Sequence, residues 1–194
     1  MIKKPAGSYI SYFSNLVKEN GGINLAQGIP GFQPPAELVC ELKDIASKNV
    51  HQYPPGIGNF DLLNQLYGHY SQQLQVDREN FLVVQGATEA LSLTYIYLAK
   101  KLKGKFSVLS FDPAYESYSQ LPKIFGQPFV NYPLNEHNCF NSTDLARTVR
   151  ESNVRVVFIS SPGNPYGKVW SRAEVETLVE MAHQHKLYLI FDGV

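Results

Sequence analysis

The chain has 194 residues, 44% hydrophobic and 18% charged, which is enough for one domain with a substantial core. Lys and Arg number 17 and Asp and Glu number 17, so the net charge is zero. That balance excludes the strongly basic surface by which proteins bind nucleic acid or an anionic membrane.

Two cysteines, Cys40 and Cys139, are too few for a disulfide framework. A reducing compartment, the cytoplasm, is the expected location. The opening MIKKPAGSYISYF is basic but has no long apolar core, so no signal peptide is expected. No apolar run approaches membrane-spanning length.

In chain order, residues 1–34 carry Pro5, Gly7, Gly21, Gly22, Gly28, Pro30, Gly31 and Pro34. They are expected to form an irregular arm, either lying across another element or subunit or poorly ordered. Within this arm, INLAQGIPGFQPP combines a short apolar strand with a Gly/Pro turn. Pro35 opens a helix, since its missing N–H costs little there. Leu38, Leu42, Ile45 and Ala46 give that helix an apolar face, and it ends near Asn49. HQYPPGIGNF is a loop, and Asn59 is the expected N-cap of a helix with the stripe Leu62, Leu66, Tyr70 and Leu74.

From Asn80 the pattern alternates between strand and helix. The expected strands are Phe81–Gln85, Phe106–Phe111, Gln127–Leu134, Val154–Ser160 and the final LYLIFD. Between the first two, GATEAL opens a helix with Leu91, Tyr95, Leu98 and Leu102 inward. DPAYESYSQLPKIFG is a turn and a helix interrupted by Pro122, and a short helix begins at Ser142 or Thr143. Ser171 and Glu174 form a capping box for the last helix, with Val175, Leu178, Val179 and Ala182 inward. Apolar strands separated by helices predict a mostly parallel sheet covered on both faces, an αβα three-layer fold of the α/β class.

Four stretches fall where a strand gives way to the next segment, the edge at which open α/β sheets bind ligands. Gly86-Ala87-Thr88 opens a helix whose free N–H groups and partial positive charge suit a phosphate; an ordinary turn with Thr88 as a cap would also explain it. Tyr115, in DPAYESY, offers an aromatic face for a planar ring, or is simply packed in a turn. Asn164, in SSPGNPYG, is held by two prolines and two glycines, and its amide can donate to a phenolate oxygen. Asp192, after an apolar run, wants a cationic partner such as a protonated ring nitrogen, or is a solvated strand end. His183 and His185 are badly spaced for a shared metal, and no metal site is expected. Cys40 and Cys139 have no nearby base and do not look like nucleophiles.

Taken in order, INLAQGIPGFQPP, YPPGIGNFDLLNQL, QGATEAL, FDPAYESY, SSPGNPYG and the closing FD resemble the large domain of class I/II, fold-type I aminotransferases. The resemblance covers about residue 20 to 194 and is nearest the methionine/kynurenine aminotransferase-like branch. It implies pyridoxal 5′-phosphate as cofactor, and an α-amino acid and a 2-oxo acid as substrates. It divides the chain into an N-terminal arm and substrate strand, 1–34, and a partial cofactor-binding large domain, 35–194.

By resemblance, Ala87 and Thr88 would bind the phosphate, Tyr115 would stack on the ring, Asn164 would bond its phenolic oxygen, and Asp192 would pair with its nitrogen. Gly28 would lie near the substrate carboxylate. Tyr53 would reach the phosphate held by a second subunit, which implies a homodimer. The family's Schiff-base lysine follows the Asp by some tens of residues, so no catalytic residue is expected within this chain and its activity alone is expected to be lost. FDGV also departs from the family's usual acid after the Asp. Two alternatives stay open on the residues: a C–S β-lyase on the same fold, and a non-catalytic remnant or dimerisation module.

Overall fold

A computed structural model describes residues 8–193. Pro5 and Gly7 of the expected arm, and Val194, lie outside them. The chain packs as two compact units, one ending at Tyr53 and the other starting at Pro54.

In the first unit, α1 spans Tyr9–Asn20 and α2 spans Ala36–Ala46. The presence of α1 corrects the expectation of a wholly irregular arm. Ile10, Phe13, Leu16 and Val17 supply a helical repeat, and the glycines that suggested disorder sit after it: Gly21, with φ 73°, ends the helix. Ser14 is buried; its hydroxyl accepts from Asn24 Nδ2 at 3.0 Å and donates to Gln27 Oε1 at 3.4 Å. The segment after α1 forms no strand among the described residues. The apolar face of α2 exists in sequence, yet Leu38, Leu42 and Ile45 are all exposed.

The second unit begins with α3, Phe60–Tyr70, whose N-cap is Asn59 as expected; its side chain accepts from the amides of Asp61 and Leu62. The residue this helix buries is Leu63 rather than the stripe Leu62, Leu66, Tyr70 and Leu74. The expected strand at Phe81–Gln85 is not formed. A strand needs a ladder partner, and among the described residues no strand pairs with this segment: Val83 N donates to Ile57 O at 3.0 Å and Phe81 N to Arg78 O at 3.3 Å, which do not form a ladder.

From there the alternation holds. The order is α4 Ala87–Leu102, β1 Ser107–Asp112, α5 Glu116–Ile124, β2 Phe129–Pro133, α6 Ser142–Glu151, β3 Val154–Ser160, α7 Arg172–His185 and β4 Tyr188–Asp192. The four strands pair only in parallel, in the order β2-β1-β3-β4.

Successive residues along a strand face opposite sides of the sheet, and the core follows that period. Leu109, Phe111, Val157 and Ile159 face Leu145 and Val149 of α6 and Leu178 and Met181 of α7. Val108, Val156 and Phe158 face Leu91, Tyr95 and Leu98 of α4 and Tyr118 of α5. The result is the expected three-layer αβα arrangement. On α7, Met181 is buried where Val179 was expected; Val179 is exposed. Among the described residues no helix is long and apolar enough to cross a membrane.

Candidate functional site

Because all four strands run parallel, Asp112, Ser160 and Asp192 end β1, β3 and β4 on one edge of the sheet. The N-terminus of α4 opens beside the same edge. Gly86 is its N-cap with φ 103°, a left-handed conformation that favours glycine, and no side chain caps the helix from that position. Glu89 reaches back to accept from Gln85 N at 2.5 Å, so the first turn is shaped without using the amides of Ala87 and Thr88.

A cleft of about 310 Å³ lies between these parts, lined on one side by Gly86, Ala87 and Ala90 and on the other by Ile190, Phe191, Asp192 and Gly193. That volume is at the small end for ligand sites, which run from about 300 to 1,000 Å³. The cleft joins an electropositive helix end to a carboxylate, so a ligand bound across it would be anionic at one end and cationic at the other.

Asp192 is half-buried, and a carboxylate there needs a donor. Tyr118 provides one: its hydroxyl donates to Asp192 Oδ2 at 2.7 Å. Tyr118 is itself fixed by stacking on Phe158, with ring centroids 4.9 Å apart and planes 3° from parallel. Burial, followed by the contact with Asp192, pushes the Tyr118 phenol far above its ordinary range, so it remains a donor.

Tyr115 meets Tyr118 edge to face at 5.7 Å, which ties it to the same cluster. The backbone adds a second link, as Ser161 N donates to the carbonyl of Asp192 at 3.0 Å. Asn164 stands exposed on the loop beginning there, and its backbone N–H donates to Ser160 Oγ at 3.1 Å.

Of the sequence-predicted site residues, Ala87, Tyr115, Asn164 and Asp192 are therefore gathered at one sheet edge. Thr88 is exposed on the first turn of α4 and is not part of the cleft wall; its carbonyl accepts from Ser92 Oγ at 2.7 Å. Gly28 and Tyr53 belong to the first unit, and both are exposed. Tyr118 was missed. Its signal was the aromatic three residues after Tyr115, which one turn of α5 places on the same side.

Two lysines, Lys168 and Lys186, lie between β3 and β4 in the sequence. Lys168 is enclosed and ion-paired with Glu174 at 2.8 Å. Lys186 caps the end of α7 ahead of β4, at the opposite end of that strand from Asp192. Neither lines the cleft.

An open parallel sheet with a helix N-terminus and an acid converging on its carboxyl edge is an α/β domain with the arrangement at which such sheets bind ligands. More narrowly, the chain belongs to the aminotransferase class I and II family, whose model matches residues 20–194. It is 30% identical over 198 residues to the probable N-succinyldiaminopimelate aminotransferase DapC of Mycobacterium tuberculosis, covering 100% of this chain and 49% of that protein. It is 28% identical over 200 residues to kynurenine–oxoglutarate transaminase 3 of Mus musculus, covering 94% of this chain and 42% of that protein. Among solved structures it is similar to a methionine aminotransferase of Escherichia coli, with a TM-score of 0.87 and 27% identity over 100% of this chain and 52% of that one. The chain spans about half the length of the relatives it matches.

Proposed function

We propose that the complete protein carries out pyridoxal 5′-phosphate-dependent transamination between an α-amino acid and a 2-oxo acid. The observation that carries this is the cleft with the α4 N-terminus on one wall and Asp192 on the other. Pyridoxal phosphate has an anionic phosphate at one end and a ring nitrogen that can be protonated, and its ring supplies an electron sink when bound.

On this proposal the amides of Ala87 and Thr88, with the Thr88 hydroxyl, bind the phosphate. Tyr115 packs against the ring, and Asn164 donates to its phenolic oxygen. Asp192 holds a proton on the ring nitrogen, and Tyr118 keeps that carboxylate aimed. Gly28 lies by the substrate carboxylate. Tyr53 serves a second subunit's phosphate, so the complete protein is a homodimer, and its place is the cytoplasm. Residues 1–34 act as arm and substrate strand, and 35–194 as part of the cofactor domain. The amine that takes up the cofactor has no counterpart in these 194 residues. The confinement of Lys168 and the remoteness of Lys186 support that part of the proposal.

Equilibrium dialysis of this chain against pyridoxal phosphate provides the test. Saturable binding is expected, weakened about tenfold or more by Asp192→Ala, since the ring cation loses its counter-charge. Absence of saturable binding, or equal affinity in the two proteins, would overturn the proposal.

A further inference from the structure

Lys168 sits in the β3–α7 loop four residues beyond Asn164, and only 7% of its side chain is exposed. A surface loop offers a lysine free access to water, and enclosing an ammonium is unfavourable unless it is paired. Here Nζ donates to Glu174 Oε1 at 2.8 Å and lies 4.5 Å from the centre of the Trp170 ring. The other oxygen of Glu174 accepts from the amide and hydroxyl of Ser171, each at 2.9 Å.

The rest of the loop is closed onto this pair. Trp170 Nε1 donates to the carbonyl of Ser160 at 2.9 Å, which returns the chain to the end of β3. Gly163 N donates to the carbonyl of Lys168 at 2.7 Å, and Gly167 N to the carbonyl of Gly163 at 2.5 Å. Gly163 is buried, and a Cβ there would meet Lys168 N at 3.3 Å, so the two backbone segments pass close together at that point. Asn164 is thus bracketed by Gly163 and Ser160 on one side and Lys168 on the other. One carboxylate both caps α7 and anchors the loop.

We propose that Lys168 is a positioning residue for Asn164. Its ion pair with Glu174 latches the loop to the first turn of α7 and holds Asn164 at the carboxyl end of β3 in one conformation. The purpose of the latch rests on the pyridoxal phosphate proposal; its existence does not.

Glu174→Gln separates the two duties of that carboxylate, because glutamine keeps the capping box while removing the charge. Lys168→Met removes the ammonium and keeps an unbranched side chain of similar length. Amide hydrogen exchange is followed for Gly163, Asn164 and Gly167, with the amides of Leu178 to Ala182 as the internal control. In each variant the loop amides are expected to exchange about tenfold faster or more, with the control unchanged. The double variant should be no faster than either single one.

In pyridoxal phosphate dialysis, both single variants should bind about tenfold more weakly, with Lys168→Arg near wild type. Unchanged loop protection in both variants overturns the latch. A loosened loop with full affinity overturns the positioning role. Lys168→Met unfolding as a whole is recognised in the α7 amides, and Glu174→Gln then decides. A wild-type chain that binds no pyridoxal phosphate sinks the cofactor proposal and the positioning role together, and the exchange data still show whether the latch exists.

Discussion

The hydroxyl of Tyr95 is buried beside Phe125 and Phe158 with no hydrogen-bond partner among the described residues. Burial pushes its phenol up to about 12. Tyr132 is also pushed up to about 12, by burial first and then by the carboxylate of Asp144, to which it donates at 3.0 Å. Tyrosines in the unfolded chain ionise near about 10. Between the two values the folded state holds more protons than the unfolded one, so stability falls as pH rises. The contribution is fully present below about pH 10 and is lost on rising to about pH 12. Urea midpoints measured through that window should drop, and Tyr95→Phe should drop less steeply. At neutral pH Tyr95→Phe should gain about 1 kcal/mol, because an unsatisfied hydroxyl leaves the core, whereas Tyr132→Phe should lose about 1 kcal/mol with its bond to Asp144. A Tyr95→Phe variant less stable than wild type would show that the hydroxyl has a partner in solution.

Among the elements, those governed by short-range rules were legible in the sequence. The Asn59 cap and the Ser171–Glu174 capping box form as the spacing requires. The strands from β1 onward fall where apolar runs alternate with helical periods. What could not be read depends on distant partners. The Tyr118–Asp192 bond spans 74 positions, and no local period encodes it. Phe81–Gln85 has the composition of a strand but no neighbour to pair with among the described residues. A different contact fixes this segment. Gly58 has φ 116°, and a Cβ there would stand 2.6 Å from Cβ and Cγ2 of Val83. Gly58→Ala should therefore cost about 2–3 kcal/mol in urea unfolding, from overpacking together with the strained backbone angle. A cost under about 0.5 kcal/mol would mean that the contact is not tight in solution.

At the scale of the whole molecule, the sheet is covered on both faces but not equally to its edges. β1 and β3 are buried almost throughout, whereas β4 is only half-buried, with Phe191 49% exposed. β4 pairs with β3 alone among the described residues, and Leu93, Ile96 and Tyr97 of α4 are exposed as well. An unpaired strand edge beside exposed apolar groups favours association. Sedimentation of this chain should show an average mass that rises with concentration, and a single monomeric species across the range would contradict this.

The bond from Ser161 N to the carbonyl of Asp192 has a further consequence. It continues the pairing of β3 with β4 into the loop, so the loop and the acid stand on neighbouring strands, whose separation is set by peptide geometry at about 4.8 Å. That spacing works as a fixed gauge. Substitutions on this edge can change which groups face a ligand but not how far apart the two backbones stand. Freedom to fit ligands of different size therefore belongs to the other wall of the cleft, where Ala87 and Ala90 are small enough to be enlarged.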